Sequence, residues 1–164
     1  MRRIRLAILL VFCLAPTTAP AQELPRQLIL QGERFLTMGK YQAALGEYAK
    51  VLDCCEQSPE GAEAHNDMGV ACARLGRVEE ARAHYQAALD IGDYPLANFN
   101  LGKSLFEDYQ ATGDEESRLR SLELFQGFQA WLDSSDPDDL PPSVTYQRAE
   151  MDEYLAEALR DLSR

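Results

Sequence analysis

The chain has 164 residues, with 27 acidic and 16 basic side chains and a formal net charge of −11 at pH 7. Its length suits one compact domain or a short array of repeats. The strong negative charge would repel phosphate backbones and anionic membrane surfaces, which argues against nucleic acid as a partner.

The N-terminal residues predict a signal peptide over residues 1–21. Three arginines come first, an apolar run over 6–15 follows, and the small residues Ala19 and Ala21 suit signal peptidase. The run is too short to span a bilayer as a helix. We therefore expect cleavage after Ala21, export to the periplasm or out of the cell, and a mature net charge of −14, because three arginines are lost. A lipoprotein alternative would modify Cys13, but its place inside the apolar run argues against that.

The rest of the chain repeats itself. The landmarks of the first unit are Leu28, Gln31, Gly32, Phe35, Gly39, Tyr41, Ala44, Tyr48 and Val51. A shift of 37 residues places on them His65, Met68, Gly69, Cys72, Gly76, Val78, Ala81, Tyr85 and Ala88. Because small and large residues recur at matching positions, each unit is predicted to form two antiparallel helices. Gly39 and Gly76 are expected to end the first helix of each unit in the left-handed conformation.

A third unit begins at Pro95, and its second helix is displaced. At a shift of 33 residues from the second unit, its first helix carries Leu101, Gly102 and Leu105. At a shift of 40 residues, its second helix carries Ser121, Phe125 and Phe128. The extra residues predict longer helices around a turn at 111–114, where Thr112 and Glu115 would form a capping box.

Beyond the third unit we expect an acidic, proline-containing loop over 133–142 and a capping helix over 143–164. One face of this helix carries Val144, Met151, Leu155, Ala158 and Leu162. A terminal helix with one polar face would cover the exposed end of a repeat stack.

These landmarks resemble the tetratricopeptide-repeat family, whose unit has about 34 residues with small residues where its helices cross and Tyr or Phe between them. The second unit, from Ala62 to Pro95, is the closest match. The first unit has three extra residues near Ser58 and Pro59, which read as an N-cap and a first helical residue, and a polar Gln31 at a position that is normally apolar. The resemblance implies an all-α solenoid of about three helix pairs within 22–132, with units at about 25–58, 59–94 and 95–132.

The resemblance also implies that the first helices of the units line a concave groove that binds a peptide. By register, the groove would present Ile29, Leu30, Glu33, Asn66, Asp67, Val70, Arg74, Phe99, Asn100 and Lys103. The same faces also carry Arg26, Thr37, Glu63, Leu96 and Glu107. A plain solvated helix face is the alternative, but four apolar members favour an exposed interaction strip: Ile29, Leu30, Val70 and Phe99. A groove that grips a C-terminal carboxylate needs Lys and Asn where Ile29 and Glu33 stand, which argues against such a clamp.

No residue pattern predicts catalysis, a metal or a cofactor. His65 and His84 lack a ligand set at zinc spacing, and the acidic loop lacks the glycine and final glutamate of a calcium loop. Cys72 is expected in the core. The adjacent Cys54 and Cys55 are expected to be unreactive neighbours at a helix end, although a vicinal disulfide, a redox contact or a link to a second chain are alternatives.

The predicted function is therefore non-enzymatic. We expect a scaffold or adaptor in the periplasm or envelope of a bacterium that binds another protein through its groove. The groove carries both charge signs, so an amphipathic peptide is expected, with Phe99 as its apolar anchor and Lys103 as a neighbouring cation. The alternatives are a self-associating structural protein of an envelope assembly and a thiol-active accessory that uses Cys54 and Cys55.

Overall fold

The computed structural model describes residues 23–92 and 94–163. The predicted signal peptide over 1–21 lies outside the described residues. The described part is built of helices only: α1 Glu23–Thr37, α2 Tyr41–Cys55, α3 Pro59–Arg74, α4 Val78–Ile91, α5 Pro95–Thr112, α6 Glu115–Ser134, a 3-10 helix Pro137–Asp139 and α7 Pro142–Leu162. The predicted all-α repeat solenoid is confirmed. None of the described helices is long and apolar enough to cross a membrane.

The helices pack as three pairs, α1 with α2, α3 with α4 and α5 with α6. Each second helix also packs on the first helix of the next pair, and α7 packs on α6 at the end of the stack. In addition, α1 contacts α3, and α3 contacts α5. The first helices therefore lie side by side along one face of the solenoid.

The helices of each pair cross where a glycine faces an aromatic ring. In the first pair Gly32 lies against Tyr48. In the second, a Cβ atom on Gly69 would lie 2.6 Å from Cδ1 of Tyr85, and in the third, one on Gly102 would lie 2.9 Å from Cε1 of Phe125. The same contact therefore recurs in all three pairs, which confirms the predicted displacement within the third unit.

Local signals set the ends of these helices. Gly39 and Gly76 follow α1 and α3 with φ angles of 70° and 75°, as predicted, and Gly113 follows α5 with a φ angle of 74°. Glycine adopts this left-handed conformation without steric cost. The side chain of Ser58 accepts a hydrogen bond from the Gly61 amide at 3.1 Å, and Pro59 is the first residue of α3, which confirms that cap.

The predicted capping box of Thr112 and Glu115 is wrong. Thr112 belongs to the last turn of α5, where its hydroxyl donates to the carbonyl of Asp108. Because Gly113 makes the reversal, Asp114 becomes the N-cap of α6, and its carboxylate accepts from the Ser117 amide at 2.7 Å. This hydrogen bond from the Ser117 amide stabilises the carboxylate and lowers the pKa of Asp114.

The segment predicted as a loop over 133–142 is partly helical. The α6 helix continues through Ser134, and Asp136 caps the 3-10 helix by accepting from the Asp138 amide at 3.0 Å. Only a few residues on either side of the 3-10 helix are left without helical structure, because prolines at Pro137 and Pro142 start the next helices at once.

The α7 helix covers the end of the third pair. Its predicted apolar face is buried, with Val144, Leu155 and Leu162 fully inaccessible. This face packs against phenylalanines of α5 and α6. Arg118 of α6 donates to the carbonyl of Leu162 and fixes the end of α7. The end of the stack is thereby closed by a helix whose outer side is polar.

Candidate interaction surface

Two side-chain contacts bridge the first helices of the three pairs, α1, α3 and α5. Arg26 of α1 donates to both carboxylate oxygens of Glu63 on α3 at 2.8 Å. Asn100 of α5 donates to Oδ1 of Asn66 on α3 at 2.9 Å, and Asn66 is buried. A buried amide is costly unless it is hydrogen-bonded, so this contact holds α3 and α5 in one register. In a helical solenoid such a row of first helices forms the concave face.

Three carboxylates of α1 and α3 lie close together and are named here the acidic cluster: Glu33, Glu63 and Asp67. Burial raises the pKa of Asp67 to about 7, and the charges of Glu63 and Glu33 add to the rise. Burial, and then Glu63, also raises the pKa of Glu33. Because Arg26 pairs with Glu63, the charge left to be balanced is that of Glu33 and Asp67.

Two tyrosines border the acidic cluster. Tyr48 reaches it from α2, and Tyr94 stands at the N-cap of α5. Burial, and then the charge of Asp67, raises the pKa of both hydroxyls. The approach of the Tyr48 hydroxyl to Asp67 falls short of hydrogen-bond geometry, so this fully buried group has no partner among the described residues.

A cavity of about 390 Å³ adjoins the acidic cluster. Its lining includes Arg26, Glu63 and Tyr94, together with Glu60 from the first turn of α3. The cavity is therefore open beside Glu63, on one side of the acidic cluster.

Two of the four apolar residues predicted for the groove are buried, and the expectation that all four form an exposed strip is wrong. Ile29 is 0% exposed and packs with Tyr48 in the core between α1, α2 and α3. Phe99 packs with its ring centroid 5.2 Å from that of Phe128 and 5.8 Å from that of Tyr154. Because α7 folds back over α5, Phe99 faces the core rather than the groove.

The other predicted groove residues differ in exposure. Leu30 is 41% exposed, and Val70 is half-buried against the middle of the core. Arg74 and Lys103 are exposed, and Nζ of Lys103 lies 5.3 Å from the ring centroid of Tyr154 on α7, a cation–π contact.

The structure thus places Glu33 near Asp67 and Asn66 in contact with Asn100. Lys103 instead contacts Tyr154 on α7. The predicted groove residues do not include the tyrosines at the acidic cluster. The repeat spacing of Tyr48 predicts only a packing residue, and no sequence signal joins Tyr94 to the cluster.

The two histidines lie against each other, a contact that their sequence spacing did not reveal. Nδ1 of His65 is 3.1 Å from Nδ1 of His84. Burial lowers the pKa of both rings. One neutral ring therefore donates to the other. In the described ranges no three His, Cys, Asp or Glu side chains are grouped so as to hold a metal ion.

The three described cysteines are free thiols. Cys72 is buried, as predicted, and burial raises its pKa. Cys54 is exposed and Cys55 is half-buried at the end of α2. The pKa of Cys55 is raised by its hydrogen bond with Cys54, which makes its thiolate, the reactive form, scarcer at neutral pH.

A family model described as tetratricopeptide repeat matches residues 29–97. These residues run from α1 to the start of α5 and include the glycine–aromatic crossings of the first two pairs. Residues 29–97 belong to the tetratricopeptide-repeat family. A comparison with curated proteins gives no match. Tetratricopeptide-repeat domains generally mediate protein–protein interactions, and the family is typically a non-catalytic scaffold.

Proposed function

We propose that this tetratricopeptide-repeat protein is an adaptor that binds a segment of another protein on the concave face of α1, α3 and α5. The observation that carries the proposal is the fixed register of this face, which the Arg26–Glu63 and Asn66–Asn100 contacts maintain. A rigid row of parallel helices suits an extended or helical segment, because little ordering is needed on binding.

The burial pattern divides the ten predicted groove residues by role. Ile29, Asn66 and Phe99 support the surface from below, since each is buried. The residues assigned to partner contact are Leu30, Glu33, Asp67, Val70, Arg74, Asn100 and Lys103. The apolar part of the contact then rests on Leu30 and Val70 rather than on Phe99.

The proposed location is the periplasm or cell envelope of a bacterium, and its support is the signal-peptide pattern at the N-terminus. Mass spectrometry of the exported protein is expected to find Gln22 as the first residue. A lipid-modified Cys13 would overturn cleavage after Ala21.

Photo-crosslinking in cells tests the binding face. A photoreactive amino acid replaces Leu30, which is 41% exposed on α1, and in a matched control it replaces Leu119, which is 53% exposed on the second helix α6. We expect a discrete crosslinked partner from position 30 and none from position 119.

Equal crosslinking from both positions, or none from position 30, would show that the concave face is not the binding surface. A product of this chain with itself would instead support the self-associating alternative. Light scattering of the purified mature chain checks that outcome, because a stable monomer at micromolar concentration excludes self-association.

A further inference from the structure

We propose that the partner segment presents a lysine or arginine side chain to the acidic cluster between α1 and α3. This inference rests on the proposed use of the concave face and adds the chemistry that the face recognises. Arg26 already pairs with Glu63 at 2.8 Å. The carboxylates of Glu33 and Asp67 are then the acceptors for a second cation, which charge-assisted hydrogen bonds would hold.

The hydroxyl of Tyr48 is an independent observation that points to a ligand. It is fully buried and has no partner in the part of the chain that the structure describes, although burying an unpaired hydroxyl costs stability. The Tyr48 ring passes α1 at Gly32, where a Cβ atom would lie 2.9 Å from Cδ1 of the ring. Because Gly32 has no side chain, the Tyr48 ring can pass α1 and place its hydroxyl beside Asp67. A small shift would then allow the hydroxyl to donate to the charged carboxylate.

A cavity and the ring of Tyr94 lie beside Glu63, on one side of the acidic cluster. The cavity of about 390 Å³ begins at Glu63 and Tyr94, so a long side chain can approach the acidic cluster from the start of α3. A cation close to the Tyr94 ring would also gain a cation–π interaction.

Cation binding at this site is coupled to a proton. The pKa of Asp67 is raised to about 7 by burial, so near neutral pH many molecules hold a proton on this carboxyl group. A bound ammonium or guanidinium group stabilises the carboxylate, and the proton passes to solvent. The titratable groups that face Asp67 from the surrounding elements are Glu33, Tyr48, Glu63, Tyr85 and Tyr94, with Arg26 acting through its pair with Glu63.

The first test compares two variants of equal net charge. The probe is a fluorescein-labelled peptide of alternating alanine and lysine, and its control is the same peptide with every lysine acetylated. At pH 8, above the raised pKa of Asp67 of about 7, Glu33→Gln with Asp67→Asn removes about two charges from the acidic cluster, and Glu150→Gln with Glu153→Gln removes two exposed charges from α7.

We expect the cluster variant to bind the lysine peptide about tenfold more weakly and the α7 variant less than about twofold more weakly. Equal losses would show that only net charge attracts the peptide. A parent protein that does not prefer the lysine peptide over the acetylated one would also overturn the proposal. If crosslinking from position 30 persists in the cluster variant, the concave face binds its partner without a cation bound at the acidic cluster.

The second test uses Tyr48→Phe and calorimetry. Phenylalanine fits this position, because Phe125 makes the equivalent crossing at Gly102 in the third pair. We expect the variant to keep its fold and to bind the lysine peptide about three- to tenfold more weakly, since the donor to Asp67 is lost. In the parent, the binding heat is expected to change between buffers with different ionisation heats, and this difference is expected to vanish in Asp67→Asn. A parent heat that does not depend on the buffer would refute the proton coupling, and unchanged affinity of Tyr48→Phe would refute its role.

Discussion

Replacing Gly69 by alanine measures how tightly α3 and α4 cross. The new Cβ atom would lie 2.6 Å from Cδ1 of Tyr85, far inside normal contact, so the ring or the helix has to move. Tyr85 is only 4% exposed, and its cluster includes Ala81 and Leu124, which limits that movement. Overpacking of this kind costs about 1–3 kcal/mol.

Gly46→Ala is the matched control. Gly46 lies inside α2, and a Cβ atom there meets nothing within 4 Å. Both substitutions gain about 1 kcal/mol of helix propensity, so Gly46→Ala should stabilise the protein by that amount. The free energies of unfolding of the two variants are therefore expected to differ by about 1–3 kcal/mol.

Thermal unfolding followed by circular dichroism at the helical band gives the comparison. For a domain of this size, 1 kcal/mol shifts Tm by about 3–4 °C, so Gly69→Ala is expected to melt roughly 3–12 °C below Gly46→Ala. Gly69→Leu should widen the gap further. If both alanine variants melt at the same temperature, the crossing at Gly69 is not close-packed and the repeat register is wrong.

Two further predictions concern the capping helix and the acidic cluster. Leu155→Ala should lower the free energy of unfolding by about 2–5 kcal/mol, because Leu155 is fully buried, whereas Leu119→Ala at a 53% exposed site should change it by less than about 0.5 kcal/mol. Equal effects in urea unfolding would mean that α7 does not pack as described. Burial raises the folded pKa of Asp67 to about 7 from an ordinary 3.8. The stability that the protonated carboxyl group contributes to the fold is therefore fully present below pH 3.8 and is lost as pH rises through 7. Asp67→Asn should therefore raise Tm at pH 8 by more than it does at pH 4, and an equal change at both values would contradict the raised pKa.

The sequence by itself determined the helix pairs and their crossings. A glycine in the left-handed conformation ends a helix for local reasons, and Gly39 and Gly76 could be assigned from spacing alone. The repeat also predicted which glycine meets which ring, because equivalent positions in equivalent helix pairs experience the same packing. In α7 the apolar spacing likewise identified the buried face, since a terminal helix can bury only one side.

Only the tertiary structure decided what lies on the concave face. The sequence spacing gives Ile29 and Phe99 the same place in their helices, but it does not state how deeply neighbouring helices cover them. Phe99 is buried because α7, about fifty residues later, returns to place Tyr154 against its ring. The acidic cluster arises in the same way, from residues on two helices and a Tyr48 hydroxyl that arrives from a third. Contacts between residues far apart in sequence depend on how whole helices pack, and a repeat pattern records only the packing that every unit shares.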